Sequence, residues 1–119
     1  MTRREAVYAR AGVIPVKIET LIELYRHNRV YISTHADARF RERNIMARDV
    51  RNCVINGKII EDYPDDFPFP SCLILGRTCD GDILHVVMSN EGSMGRIITA
   101  YRPDKERWNN DFSVRREDS

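Results

Sequence analysis

The sequence lacks most of the features that reveal a function directly. Its 119 residues include only three cysteines, Cys53, Cys72 and Cys79, with no two in a C-x-x-C pair. This count argues against a disulfide framework and against a zinc site. The longest apolar runs, 72–75 and 86–88, are too short to cross a bilayer, and no apolar stretch follows the N-terminal charges as in a signal peptide. We therefore expect a soluble, cytoplasmic protein with no membrane segment, no metal and no cofactor.

Phosphate-binding loops are absent as well, because neither G-x-x-x-x-G-K-[ST] nor G-x-G-x-x-G occurs. What is present is an uneven distribution of charge. The net charge is only +1, but residues 1–60 carry +6 and residues 61–119 carry −5. The basic half contains an arginine cluster: Arg39, Arg41, Arg43, Arg48 and Arg51. Since guanidinium groups match phosphate geometry, a polyanionic partner is one interpretation. A solvated helix face and a protein partner of complementary charge are the alternatives.

Hydrophobic spacing predicts helices first and strands afterwards. Helices are predicted over 17–28, 35–43 and 47–56, with Thr34 as an N-cap and Gly57 as a left-handed helix end. Strands are predicted over 30–33, 58–63, 72–78, 83–89 and 96–102, with a hairpin turn at Asp80–Gly81.

This order indicates an α+β fold in which two to three helices pack on one face of a four- to five-stranded antiparallel sheet. We predict an irregular N-terminal arm over 1–16 and a single domain over 17–108. Residues 109–119 are predicted to form a polar tail that frays once Trp108 has pinned its beginning.

Two groups of residues are candidates for chemistry. His35, Arg39 and Arg43 fall within one arc of a predicted helix, and His35 lies near the helix N-terminus, where N–H groups favour anions. Spacing alone favours a solvated helix surface over a phosphate site.

The second group lies on the strands. His85 interrupts an apolar strand, and its neighbours on the adjacent strands are Arg77 and either Thr99 or Tyr101. Tyr101 and Arg102 end the last strand and Tyr63 ends the first, so that a tyrosine, an arginine and a histidine could gather around one phosphate. The alternative for His85 is a core histidine whose hydrogen bonds are satisfied.

A string of positions between 34 and 108 resembles a known family. It comprises Thr34-His-Ala-x-x-Arg39-x-x-x-Arg43-x-Ile45, Asp49-Val50, Gly57-x-Ile-Ile-Glu61-x-Tyr63-Pro, Ile83-Leu-His-Val-Val and Ile97-Ile-Thr-x-Tyr101-x-Pro103, followed by Trp108. This string resembles the small bacterial domain-of-unknown-function family 4258, which looks related to the RelE/ParE and BrnT toxins.

The resemblance implies a toxin fold with helices against an antiparallel sheet, and ribonuclease activity on ribosome-associated messenger RNA in some relatives. It also implies a cognate antitoxin of zinc-finger or helix-turn-helix type. We therefore predict a toxin that cleaves messenger RNA without a metal. The alternative is a non-catalytic toxin or a small protein-interaction module. The predicted catalytic residues are His35, His85 and Tyr101, and the predicted RNA-binding residues are Arg39, Arg43, Arg77 and Arg102.

Overall fold

A five-stranded sheet with helices on one face forms the body of the protein. The computed structural model describes residues 3–11 and 16–117. In chain order the elements are α1 (Arg3–Ala11), α2 (Ile18–Arg26), β1 (Val30–Ile32), α3 (Thr34–Glu42), α4 (Ala47–Asn56), β2 (Lys58–Tyr63), β3 (Ser71–Arg77), β4 (Ile83–Asn90) and β5 (Gly95–Tyr101). The predicted α+β class is confirmed.

The sheet has the order β1-β5-β4-β3-β2, and it is mixed rather than wholly antiparallel. Strands β2 to β5 form an antiparallel meander, whereas β1 runs parallel to β5. The prediction of a purely antiparallel sheet was wrong at this edge. The alternation of residues along a strand shows which side chains share a face, but it carries no information on the direction of the neighbouring strand.

The core lies between the helices and one face of the sheet. Leu84, Val86 and Met88 alternate along β4 toward this core, where they meet Phe40 of α3 and Val54 of α4. All five side chains are buried, so this layer excludes water from the centre of the molecule.

The helix ends differ in detail from the prediction. The Ser33 side chain, and not that of Thr34, caps α3 by accepting a hydrogen bond from the Ala36 N–H at 3.1 Å. Gly57 has a φ of −102° and is therefore not in the left-handed region. A Cβ there would lie 2.3 Å from the Cys53 carbonyl oxygen, so glycine is needed for space rather than for its backbone conformation.

The N-terminal region contains a helix where an irregular arm is predicted. Residues 3–11 form α1, and the Arg4 guanidinium donates to Asp62 on β2 at 2.7 Å and to the Val16 carbonyl oxygen at 2.5 Å. The Asp62 side chain is 1% exposed, so this ion pair fastens α1 to the sheet. The rest of the predicted arm, residues 1–2 and 12–15, lies outside the described residues.

The C-terminal segment turns back onto the domain instead of fraying. Trp108 is buried and forms a β-bridge with Arg115, and the Asn109 N–H donates to the Val114 carbonyl oxygen at 2.9 Å. The prediction of a frayed tail was therefore wrong for residues 109–117, while 118–119 lie outside the described residues. Within the described chain, no helix is long and apolar enough to span a membrane.

Candidate functional site on the helix-free face of the sheet

The face of the sheet opposite the core, which we call the helix-free face, brings together polar residues from separate strands. In the antiparallel register, Leu75 lies opposite His85, and His85 lies opposite Tyr101. Residues paired in this way point to the same side of a sheet. His85 and Tyr101 are therefore neighbours although they are far apart in sequence.

His85 is fully buried, and both of its ring nitrogens have a partner. Nε2 lies 2.8 Å from the Phe112 carbonyl oxygen, and Nδ1 lies 3.3 Å from the Tyr101 hydroxyl. A carbonyl oxygen can only accept, so Nε2 carries the proton. Burial lowers the pKa of His85, which favours the neutral ring and leaves Nδ1 free to accept from Tyr101.

An acidic and a basic side chain lie beside this pair. The Glu61 carboxylate accepts from the Tyr63 hydroxyl at 2.7 Å and from the Arg115 Nε at 3.0 Å. The Arg115 guanidinium also lies 4.7 Å from the centre of the Trp108 ring, and Trp108 packs edge-on against His85 with ring centres 4.4 Å apart.

We call these six residues the His85 cluster. Its members are His85, Tyr101, Trp108, Glu61, Tyr63 and Arg115. Burial raises the pKa of Tyr63, and the hydrogen bond to Glu61 raises it further. Burial is also the main cause of the raised pKa of Tyr101. Both phenols therefore keep their protons at neutral pH.

The other predicted catalytic residue, His35, lies in the helical layer. It is exposed on α3, and its Nε2 accepts a hydrogen bond from the Arg39 Nε at 3.2 Å. The same helix buries Ala36 and Phe40 in the core, on the opposite side of the sheet from His85. The structure thus joins His35 to Arg39 and places both apart from the His85 cluster.

Arg43 and Arg102 connect the end of α3 to β5. Arg43 Nη1 donates to the Ala100 carbonyl oxygen at 2.8 Å, where β5 has passed the end of its short partner β1. Arg102 returns the contact by donating to the carbonyl oxygens of Arg43 at 2.8 Å and Asn44 at 3.3 Å. Cations are favourable at a helix C-terminus, so these contacts stabilise the packing of α3.

Arg77 is placed elsewhere again, at the β3–β4 hairpin, where its Nη1 donates to the Gly81 carbonyl oxygen at 2.7 Å. Of the seven predicted site residues, only His85 and Tyr101 meet on the helix-free face. Their roles, and those of the arginines, stay predictions.

Sequence reasoning assigned no site role to Glu61 or Arg115, and it named Tyr63 only as the end of a neighbouring strand. A signal existed for Glu61 and Tyr63, because positions two apart on a strand share a face. Arg115 follows the last strand in a polar stretch, and no spacing connects it to the sheet. Within residues 3–11 and 16–117, no three His, Cys, Asp or Glu side chains are grouped as a metal site.

These features define a small α+β protein with one helical layer and a polar cluster on the other face of its sheet. The model of a family described as "Domain of unknown function (DUF4258)" matches residues 32–102, more than half of the chain. The chain belongs to this family, as its motifs predict. No curated protein and no solved structure matches it. The matched region includes His85 and Tyr101 but ends before Trp108 and Arg115.

Proposed function

We propose that this protein is a cytoplasmic, metal-independent ribonuclease that acts as the toxin of a bacterial toxin–antitoxin pair. Its partners are messenger RNA and a cognate antitoxin of zinc-finger or helix-turn-helix type, as the family resemblance implies. The observation that carries the proposal is the hydrogen bond between Tyr101 and His85 Nδ1. The Phe112 carbonyl oxygen accepts from His85 Nε2 and thereby sets the tautomer that leaves Nδ1 unprotonated. A phenol next to an unprotonated imidazole nitrogen can accept one proton while releasing another.

The reaction needs no group beyond RNA, water and the His85 cluster. The RNA 2′-oxygen attacks the adjacent phosphorus and forms a 2′,3′-cyclic phosphate while the bond to the 5′-oxygen breaks. Tyr101 takes the 2′-hydroxyl proton and passes its own proton to His85 Nδ1. Because burial raises the pKa of Tyr101, this transfer is concerted and does not start from a phenolate.

The remaining steps balance the charge and the protons. The Arg115 guanidinium, which is held in place by Glu61, stabilises the negative charge that develops on the phosphorane. The departing 5′-oxygen takes a proton from water. The His85 proton then returns to solvent through Tyr101, which restores the neutral pair.

The test compares two tyrosine variants on a defined single-stranded RNA in the presence of EDTA. Tyr101→Phe removes the hydroxyl that carries the proton, so we expect cleavage to fall by roughly 10²–10⁴-fold. The matched control is Tyr31→Phe, because the exposed Tyr31 hydroxyl donates to Glu91 on the opposite part of the sheet. Product ends are identified by mass spectrometry, and the expected end is a 2′,3′-cyclic phosphate. Equal cleavage by both folded variants would show that Tyr101 is not catalytic.

A non-catalytic toxin is the second candidate. It is favoured by one observation, that His85 is fully buried with both ring nitrogens already bonded. This candidate predicts growth arrest on induced expression with intact messenger RNA. It also predicts no RNA products from the purified protein, whereas the ribonuclease predicts early loss of messenger RNA that Tyr101→Phe prevents.

A further inference from the structure

A concave region lies at the end of the sheet, next to the β3–β4 hairpin. We call it the hairpin cleft; its polar lining consists mainly of Asn52, Asn56, Lys58, Arg77, Cys79 and Asp111. Its volume is about 510 Å³, which is within the range of roughly 300–1,000 Å³ of small-molecule sites. The His85 cluster does not use these residues, so the cleft is a separate feature.

The walls of the cleft suit a flat, partly apolar group. Leu75 and Ile83 supply apolar surface, and Gly57 and Gly76 contribute backbone atoms to the lining. At Gly76 a Cβ would lie 2.4 Å from the Cys53 carbonyl oxygen, so α4 already fills the side of β3 to which a side chain would project. A nucleobase is a ligand with the required flat face.

Two cations lie beside this surface. Among the described residues, no carboxylate lies within ion-pair distance of Lys58, although Lys58 contributes, after the hydrogen bonds from Ser113, to the lowered pKa of Asp111. Arg77 donates only Nη1, to the Gly81 carbonyl oxygen. Asp111 is the one carboxylate of the described lining, and its oxygen accepts from the Ser113 N–H at 3.1 Å. The lining therefore keeps one net positive charge, which matches one phosphodiester.

The cleft and the His85 cluster share a row of residues across the sheet. Lys58 pairs with Leu75, Leu75 with His85, and His85 with Tyr101. Adjacent strands are about 4.8 Å apart, so Lys58 lies roughly 10 Å from His85 along this row. Adjacent nucleotides of one RNA strand can span such a distance.

We propose that the hairpin cleft binds one nucleotide of a single-stranded RNA, with the base against Leu75 and Ile83 and the phosphate near Lys58 and Arg77. This inference rests on the proposed function, because it makes the cleft the subsite next to the cleavage point. It predicts that a free nucleoside monophosphate occupies the cleft in the absence of RNA.

Cys79 makes the proposal testable in the unmodified protein. It is exposed in the lining, whereas Cys53 and Cys72 are fully buried. Burial raises the pKa of each of these two thiols to about 12, so an alkylating reagent reacts with Cys79 first. The readout is the rate of Cys79 alkylation by iodoacetamide, followed by intact mass.

The probe is adenosine 5′-monophosphate, with adenosine and inorganic phosphate as separate arms. At a concentration ten times its dissociation constant, the monophosphate should slow alkylation about tenfold. Lys58→Gln and Arg77→Gln should remove this protection. The matched control Lys105→Gln changes an exposed lysine outside the cleft and should retain it.

Three results would overturn the proposal: no protection of the wild-type protein, full protection of Lys58→Gln, or equal protection by inorganic phosphate alone. RNA cleavage is measured on the same preparations. Protection without cleavage supports the cleft and contradicts the proposed ribonuclease. Cleavage without protection supports the ribonuclease and contradicts the cleft.

Discussion

His85 sets the chemistry of the helix-free face through its burial. Both ring nitrogens are bonded in the neutral form, and a proton added at Nδ1 would break the bond accepted from Tyr101. Burial lowers the pKa of this histidine in the folded protein. The residue is therefore also a source of pH-dependent stability.

The sign of that dependence follows from the two pKa values. The unfolded histidine has a pKa of about 6.5 and the folded one lies lower, so the unfolded chain binds the proton first as the pH falls. The stabilisation is complete above pH ~6.5 and is lost progressively between that value and the folded pKa.

We expect the free energy of unfolding in urea to decrease from pH 8 to pH 5, and His85→Asn to reduce that decrease. The control His27→Gln changes an exposed histidine beside Glu23 on α2, and it should alter the decrease less than His85→Asn does. An identical pH profile for His85→Asn and the wild type would show that the ring does not stay neutral.

Arg115 is the next residue whose environment gives a prediction. It pairs with Glu61, whose side chain is only 10% exposed, and it stacks on Trp108. Removing it leaves a nearly buried carboxylate without its cation. Because Arg115 itself is 59% exposed, the loss is smaller than for a buried pair.

We expect Arg115→Ala to lower the free energy of unfolding by about 1–2 kcal/mol. The control Arg41→Ala breaks an ion pair with Asp37 on the surface of α3 and should cost less than about 0.5 kcal/mol. Both are measured by urea denaturation at neutral pH. Equal effects of the two variants would mean that Arg115 stabilises nothing beyond a surface pair.

At the scale of elements, α4 packs closely on β3. Gly76 and Gly57 both approach the Cys53 carbonyl oxygen on α4. Asp49 holds the other end of this helix by accepting from the Met46 N–H at 2.9 Å and from the Cys79 N–H at 3.0 Å. The helix is thus fastened to the hairpin that bounds the cleft.

Gly76→Ala should therefore be strongly destabilising, by about 3 kcal/mol or more, since its Cβ meets backbone that cannot move independently. Gly95→Ala is the matched control. Its Cβ would meet the flexible Met88 Cε at 2.5 Å, so a cost nearer about 1 kcal/mol is expected. Thermal melts of both variants test which one is destabilised more. A smaller loss of stability for Gly76→Ala than for Gly95→Ala would contradict this account of the α4–β3 contact.

At the scale of the whole molecule, charge is divided between the two halves of the chain. Residues 1–60, which include the helices, carry +6, and residues 61–119, which include most of the sheet, carry −5. Arg39 and Arg48 are exposed on the helices and have no carboxylate partner within ion-pair distance among the described residues. They lie in the helical layer, on the other side of the sheet from the His85 cluster, so they contact an RNA strand where it extends beyond the helix-free face.

We expect RNA affinity to fall steeply as salt rises from about 50 to about 200 mM, because each phosphate contact releases counterions. Arg39→Gln and Arg48→Gln should each reduce the slope of log K against log salt by about 1. The control Arg107→Gln changes an exposed arginine of the acidic half. Fluorescence anisotropy with a labelled oligonucleotide measures all four proteins. A slope unchanged by both helical variants would place the RNA elsewhere.

Much of the fold follows from local patterns. Apolar spacing identified α2, α3, α4 and the four strands of the meander, because each pattern reports which side of an element is buried. The Asp80–Gly81 turn is confirmed by the adjacent pairing of Arg77 with Ile83. The same alternation made His85 and Tyr101 candidates for one face of the sheet. The register of β4 and β5 then shows that the two residues lie opposite each other.

Other features depended on contacts between distant parts of the chain. The parallel pairing of β1 with β5, the pairing of Arg4 with Asp62 and the return of Arg115 to Glu61 each join residues more than fifty positions apart. No periodicity records such contacts. For this reason, sequence reasoning missed α1, the ordered tail and the roles of Glu61 and Arg115 in the His85 cluster.

Patterns in the sequence thus predict α2, α3, α4, the five strands, the α+β class and the family, since these depend on the order of side chains along each segment. The tertiary structure alone decided that His85 faces Tyr101 and Phe112 rather than His35, and that Arg43 and Arg102 bind backbone oxygens. It also decided that Lys58 and Arg77 border a cleft. The physical reason is that the register of the sheet and the return of the tail minimise the free energy of the whole molecule. The pattern of residues in any one segment does not contain this information.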